Sequence, residues 1–317
     1  MRIVNAGKFE EALAPWYVDS TFSEDTEALA AKDTLPTEVL RSFIANWVVK
    51  YFYEYRQPQN KEGSHSLEKV AEESARLNTL ISGLVRKGSF SMGEMCLFDL
   101  AKTAALVEGI YHTKLEVEGV GLDLGTGTGV LAHAAHIALL RNDIKKRVLA
   151  IDINKYQLAS AKAIGRDGVE FLQTDSTNPQ NWQEHLQGKP ISLIVNENLP
   201  NPGTRLFSEL SKKEHEPFFT NVESLATAEL LIPGVKHFPS GVNVSRFFEN
   251  GEISDEGFMD PLDAENRAQI LAWHCEDPAT AIVINRLALN NQELRLKTLG
   301  QDYYDYFSPD LFKSKRW

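Results

Sequence analysis

Cysteine is nearly absent from this sequence: Cys96 and Cys275 are the only two among 317 residues. Two thiols so far apart build neither a Cys-x-x-Cys metal pattern nor a disulfide framework, so no metal site is expected. No stretch approaches the ~20 apolar residues that a membrane span requires. The N-terminal MRIVNAGKFEEALAPW carries acidic residues and no long apolar run, so it does not read as a secretory signal. Positive charge is also in short supply. Lys plus Arg number 33 against 44 Asp plus Glu, a net charge of -11. Such a chain repels phosphate backbones overall, so nucleic acid is not expected as a partner. Internal repeats and low-complexity segments are missing too. The expectation is a cytoplasmic protein with no membrane association.

The remaining composition is that of an ordinary globular chain: 43% hydrophobic, 24% charged and 9% aromatic. This length suits one large domain, or one of usual size with a smaller companion. The first ninety residues read as helical. In 36–56 the apolar residues Val39, Leu40, Phe43, Ile44, Trp47, Val48, Tyr51 and Phe52 recur at three- and four-residue steps, which predicts one apolar helix face. Pro36 suits the first helical position. Residues 57–64 form a polar Pro- and Gly-containing loop, 66–86 a second helix ended by Gly88, and 94–110 a third. The expected division is a helical cap or dimerisation domain over 1–90 and a cofactor-binding catalytic domain over 91–317. The aromatic helix from Trp47 to Tyr55 could supply the cap or the surface of a homodimer.

The pattern changes after residue 118. Short aliphatic runs at 119–124, 148–151, 169–172 and 191–195 predict strands, with helices over 130–140 and 155–164 between them. Strands alternating with helices predict a parallel sheet covered on both faces. Further strands are expected within 229–246 and over 280–289.

The first strand runs into Asp123-Leu124-Gly125-Thr126-Gly127-Thr128-Gly129 and then a helix. Glycine is required where φ is positive or where a side chain would collide with a ligand. A βαβ unit of this kind binds its ligand at the carboxyl ends of the strands. The spacing differs from the GxGxxG of dinucleotide folds, and Asp123 would repel a pyrophosphate while suiting the ammonium of an amino acid. A nicotinamide-dinucleotide reading of the loop stays open as the weaker alternative. Asp152 ends the second strand, where a carboxylate accepts hydrogen bonds from ribose hydroxyls. Asp175 follows the third, where it can accept from an adenine amine. Each also has a plainer reading, Asp152 as a helix cap and Asp175 as a turn residue.

LDLGTGTG, AIDIN and LQTD, in that order over roughly 119–200, resemble the S-adenosylmethionine (SAM) motifs of class I methyltransferases. The resemblance implies a Rossmann-like α/β sheet and SAM held by Asp123, Gly125, Thr126, Gly127, Gly129, Asp152 and Asp175. The fourth strand continues as Asn196-Glu197-Asn198-Leu199-Pro200, not as the Asn-Pro-Pro-Tyr-like tetrad of adenine and glutamine methylating enzymes. Glu197 and Glu209, the latter in Leu206-Phe207-Ser208-Glu209, are similar to the double-glutamate hairpin of protein arginine methyltransferases. Glu94 to Thr103 is similar to that family's Glu-Met-Leu-x-Asp-x-x-Arg-Thr helix, which implies that Lys102 pairs with the SAM carboxylate. Lysine there loses the bidentate geometry of arginine. The two glutamates are 12 positions apart, wider than in that family, and its Trp-Met-Gly-Tyr segment is absent. Only 71 residues follow Arg246, too few for its β-barrel and dimerisation arm.

The chemistry implied is N-methylation of a guanidine or amine on a small molecule or peptide. Glu197 and Glu209 would clamp the acceptor by charge-assisted hydrogen bonds. A C- or O-methyltransferase with His237 or His274 as base is the alternative, and a SAM-binding module without catalysis is another. His133 and His136 read as packing or surface residues, and Lys145-Lys146-Arg147 as a solvated loop.

Overall fold

The computed structural model describes residues 26–55, 92–97, 100–165, 167–198, 217–247, 253–269, 281–290, 292–295, 297–298 and 301–302. The loop expected over 57–64 and the helix expected over 66–86 lie outside them.

Five short segments pair in parallel into a central sheet: β1 (Val120–Leu124), β2 (Val148–Asp152), β3 (Val169–Gln173), β4 (Ile191–Val195) and β5 (Lys236–Phe238). Their order is β3-β2-β1-β4-β5. β1 and β4 are buried along their whole length, so their sequences are apolar runs without alternation. The order reverses between β1 and β4, and a crevice opens at the carboxyl ends of strands where that happens. The chain thus directs its ligand site to the segments that follow Leu124 and Val195.

Among the described residues, the helices preceding the sheet are α1 (Thr26–Ala30), α2 (Thr37–Val49), α3 (Met92–Leu97) and α4 (Leu100–Tyr111). α2 continues as a π-helical turn over Lys50–Tyr55, so the helix expected over 36–56 is present but changes its winding after Val49. Pro36 stands at the N-cap, one position ahead of its expected place. Within the sheet region lie α5 (Val130–Arg141), α6 (Lys155–Ile164) and α7 (Pro217–Thr227). α5 is buried over nearly its whole circumference, which its alanines permit. It packs on β1 and β2 and is covered in turn by α4 and α1. Phe43, Ile44, Trp47 and Val48 of α2 share one apolar cluster with α4, α5 and the sheet.

Beyond β5 the chain forms an antiparallel sheet of β6 (Gly241–Phe247), β7 (Ile253–Met259), β8 (Ala281–Leu289) and β9 (Gln292–Arg295), ordered β7-β6-β8-β9. The strand expected over 280–289 is β8. The pairing of these strands into a second sheet had no signal in the sequence. Short antiparallel strands need few residues, because hairpin neighbours pair without a crossover helix. A β10–β11 hairpin (Lys297–Thr298 and Gln301–Asp302) follows. The segment after β8 is tied to α4 where Asn290 Nδ2 donates to the Gly109 carbonyl over 2.6 Å.

Candidate cofactor and acceptor site

The turn after β1 folds back over β2: Gly125 N and Thr126 N both donate to the Ile151 carbonyl, at 2.8 and 2.9 Å. Gly125, Gly127 and Gly129 have φ of +71°, +53° and +81°, the left-handed region open to glycine. A Cβ on Gly125 would overlap the Asn198 carboxamide, whose Nδ2 donates to the Leu124 carbonyl. Gly129 is the N-cap of α5, so the helix begins at the turn.

Asp123 is buried beneath this turn. Burial pushes its carboxyl up to about 7 against the hydrogen bond from Thr126 Oγ1 at 2.6 Å, and the negative charges of Asp152 and Glu197 push the same way. Thr126 therefore serves Asp123 rather than facing outward. Asp152 at the tip of β2 accepts Gly127 N at 2.8 Å through Oδ2 and Asn154 N at 2.7 Å through Oδ1. Its carboxyl is also raised by burial. The cap of α6 is Asn154, whose Oδ1 accepts Tyr156 N and Gln157 N, so Asp152 is not the helix cap. Ile153 beside it is 72% exposed, an apolar face next to the carboxylate. Asp175 is exposed, and its Oδ1 accepts Thr177 N and Oγ1 at 2.9 and 2.8 Å. The turn that was its plainer reading is present.

At the end of β4, Asn196 is buried and Glu197 and Asn198 are half-buried. A polar chain crosses the crevice here. Asn198 Nδ2 donates to Asn196 Oδ1 (3.3 Å), Asn221 Nδ2 of α7 to the same oxygen (3.1 Å), and Ser176 Oγ to Asn221 Oδ1 (3.1 Å). It links the segment after β4 to the residues beside Asp175. Ile153 and Asn198 carried a faint signal in the sequence, by adjacency to Asp152 and Glu197. Asn221 carried none, because only α7 packing brings it there.

The N-terminal helices close one side of the turn. Trp47 Nε1 donates to the Thr128 carbonyl at 3.2 Å, and His133 lies between Trp47 and Phe171 at 4.6 and 6.3 Å. His133 and His136 are buried, in keeping with packing roles. Lys102 lies on α4, but its side chain is outside the described residues, as are Glu209 and His274. No group of acidic, histidine and cysteine side chains suited to a metal occurs among the described residues.

These residues fit SAM. The glycines let the turn pack closely against Asn198, Gly93 and Ala161, the buried Asp123 lies beneath it, and Asp152 with Ile153 offers a carboxylate beside an apolar face. Residues 102–255 match the family model of FtsJ-like methyltransferases. Over that stretch the chain is similar to a SAM-dependent methyltransferase domain. Among solved structures, the chain resembles a crystal structure of PRMT6-SAH at 16% identity and a TM-score of 0.36, over 48% of this chain and 46% of that one. A second crystal structure of PRMT6 gives 15% identity and 0.36, over 61% and 59%. The chain thus spans about half the length of these neighbours. No curated protein matches it significantly.

Proposed function

We propose that the methyltransferase acts on a nitrogen of a guanidine or amine, presented by a small molecule or peptide. The observation that carries this reading is the place of Glu197. It follows β4 at the reversal of strand order, near enough to Asp123 for its charge to raise that carboxyl. SAM supplies an electrophilic methyl group when bound. A half-buried carboxylate at this edge attracts a cationic acceptor and orients its nitrogen through charge-assisted hydrogen bonds. Glu209 and Lys102 keep their proposed roles as second clamp and as partner of the SAM carboxylate. Asp175 keeps its role toward the adenine amine through its exposed carboxylate.

His237 is poorly suited to the alternative role of base. Its Nδ1 hydrogen-bonds the Pro239 carbonyl at 2.7 Å, and burial pushes its pKa down to about 4. A base that weak removes a hydroxyl proton inefficiently.

A second reading comes from the FtsJ-like match, since that family typically methylates ribose hydroxyls of RNA. Nucleic acid is therefore not set aside as an acceptor by the net charge alone. Of the basic side chains near β3, Arg147 pairs with Glu170 at 2.5 Å and Lys146 with Glu118 at 3.5 Å, which leaves less charge for phosphates.

The test is transfer from methyl-labelled SAM to panels of guanidines, amines, peptides and RNA. Label on guanidine or amine nitrogen, lost in Glu197→Gln, supports the first reading. Label on RNA alone replaces it with the second. The division into 1–90 and 91–317, a homodimer and a cytoplasmic location belong to the same proposal. No helix among the described residues is long and apolar enough to cross a membrane.

A further inference from the structure

Gln157 lies in the first turn of α6, five residues beyond Asp152, and is only 4% exposed. Its backbone N–H is satisfied by Asn154 Oδ1, but its side-chain Nε2 has no hydrogen-bond partner. That amide is directed at the glycine turn. A Cβ built on Gly127 would lie 3.6 Å from Nε2, and one built on Gly93 of α3 would lie 2.7 Å from it. Gly93 and Gly127 themselves approach so closely that a Cβ on Gly93 would be 3.0 Å from Gly127 Cα. The unpaired donor is therefore held where α3, α6 and the turn meet, beside the Gly127 whose N–H is bound by Asp152.

A buried donor without an acceptor is costly, roughly 1–3 kcal/mol, and such groups are few in folded proteins. Packing alone does not explain it, since leucine or methionine would fill similar space without that cost. A ligand oxygen arriving at the turn removes the cost. Asp152 is an acceptor, suited to ribose hydroxyl hydrogens; Gln157 Nε2 is a donor, suited to a ribose oxygen. Together they would offer both halves of a hydroxyl's hydrogen-bonding capacity. We infer that Gln157 is a cofactor-binding residue whose amide donates to an oxygen of the SAM ribose. This deepens the SAM assignment above and rests on it.

Calorimetry with S-adenosylhomocysteine and with 5′-methylthioadenosine, which keeps the ribose but lacks the amino acid, tests the inference. Gln157→Leu should weaken both about tenfold, while Gln157→Asn, which retains a donor, should recover part of the loss. The apo melting temperature of Gln157→Leu should not fall, because the unpaired donor is removed. A variant whose apo form melts lower and whose ligand affinities are unchanged would make Gln157 a packing residue and overturn the inference. A loss seen with S-adenosylhomocysteine alone would also overturn it, placing the contact on the amino-acid end. Failure of the wild-type protein to bind either compound would instead defeat the SAM assignment itself.

Discussion

Gly127 donates its backbone N–H to Asp152 Oδ2 over 2.8 Å, which fastens the glycine turn after β1 to the tip of β2. The same carboxylate that is expected to meet the ribose thus also shapes the turn that receives the rest of the cofactor. Asp152→Ala should weaken S-adenosylhomocysteine by at least about tenfold, or ~1.4 kcal/mol. It should also lower the apo melting temperature, because Gly127 N–H loses its partner. Calorimetry and a thermal scan check the two effects separately. Unchanged affinity would remove Asp152 from the ribose site.

Asp123 is mostly protonated below pH 7 in the free protein, its carboxyl being raised to about 7. If the SAM ammonium sits beside it, binding favours the carboxylate and expels a proton. At pH 6, calorimetry in buffers of different ionisation enthalpy should show release of up to about one proton per SAM. No buffer dependence, with affinity intact, would place the ammonium elsewhere.

Asp123 and His237 oppose one another in the pH dependence of stability. The raised carboxyl binds a proton in the folded state at pH values where the unfolded chain has lost it. Its contribution is therefore present at low pH and declines as pH rises from about 4 to 7. His237, held down to about 4, is neutral when folded while the unfolded chain is protonated below about 6.5. Its contribution falls as pH drops through that window. Asp123→Asn should make the slope of stability against pH more positive than in the wild type between about 4.5 and 6, by up to ~1.4 kcal/mol per pH unit, while the raised Asp152 carboxyl still opposes His237. Urea melts across that range, compared with wild type, read the difference in slope.

Asn221 holds two partners in a fully buried setting, Asn196 and Ser176. Asn221→Leu leaves the Asn196 carboxamide and the Ser176 hydroxyl short of a bond each. A loss of about 2–4 kcal/mol is expected from the two, measured by urea denaturation. Ser176→Ala breaks one of these links and should cost less.

Gly129 begins α5 at φ +81°, and a Cβ there would lie 3.0 Å from the Ala161 Cβ. Gly129→Ala should destabilise by about 1–2 kcal/mol from backbone strain alone. A thermal melt reads this as a drop of several degrees.

The sequence by itself determined the parallel sheet and the place of its cofactor turn. β1, β2 and β4 are mostly aliphatic because they are buried inside the sheet, whereas the edge strand β3 is only half-buried and carries Glu170 and Gln173 among its apolar residues. Gly125, Gly127 and Gly129 were legible because positive φ is a local requirement that few other residues meet. The placement of Asp123 in β1 and of Asp152 at the tip of β2 was legible from the strand pattern.

Tertiary structure decided the rest, because the remaining contacts join residues far apart in the chain. Nothing local marks Asn221 as a partner of Asn196, or Trp47 as a donor to the Thr128 carbonyl. The role of Thr126 turned inward because Asp123 is buried beneath it. Gln157 looked like any helix residue until α3 and the turn closed around its amide. The strand over 280–289 was legible, but its pairing into a second, antiparallel sheet was not, since that pairing depends on partners that only the folded chain brings side by side.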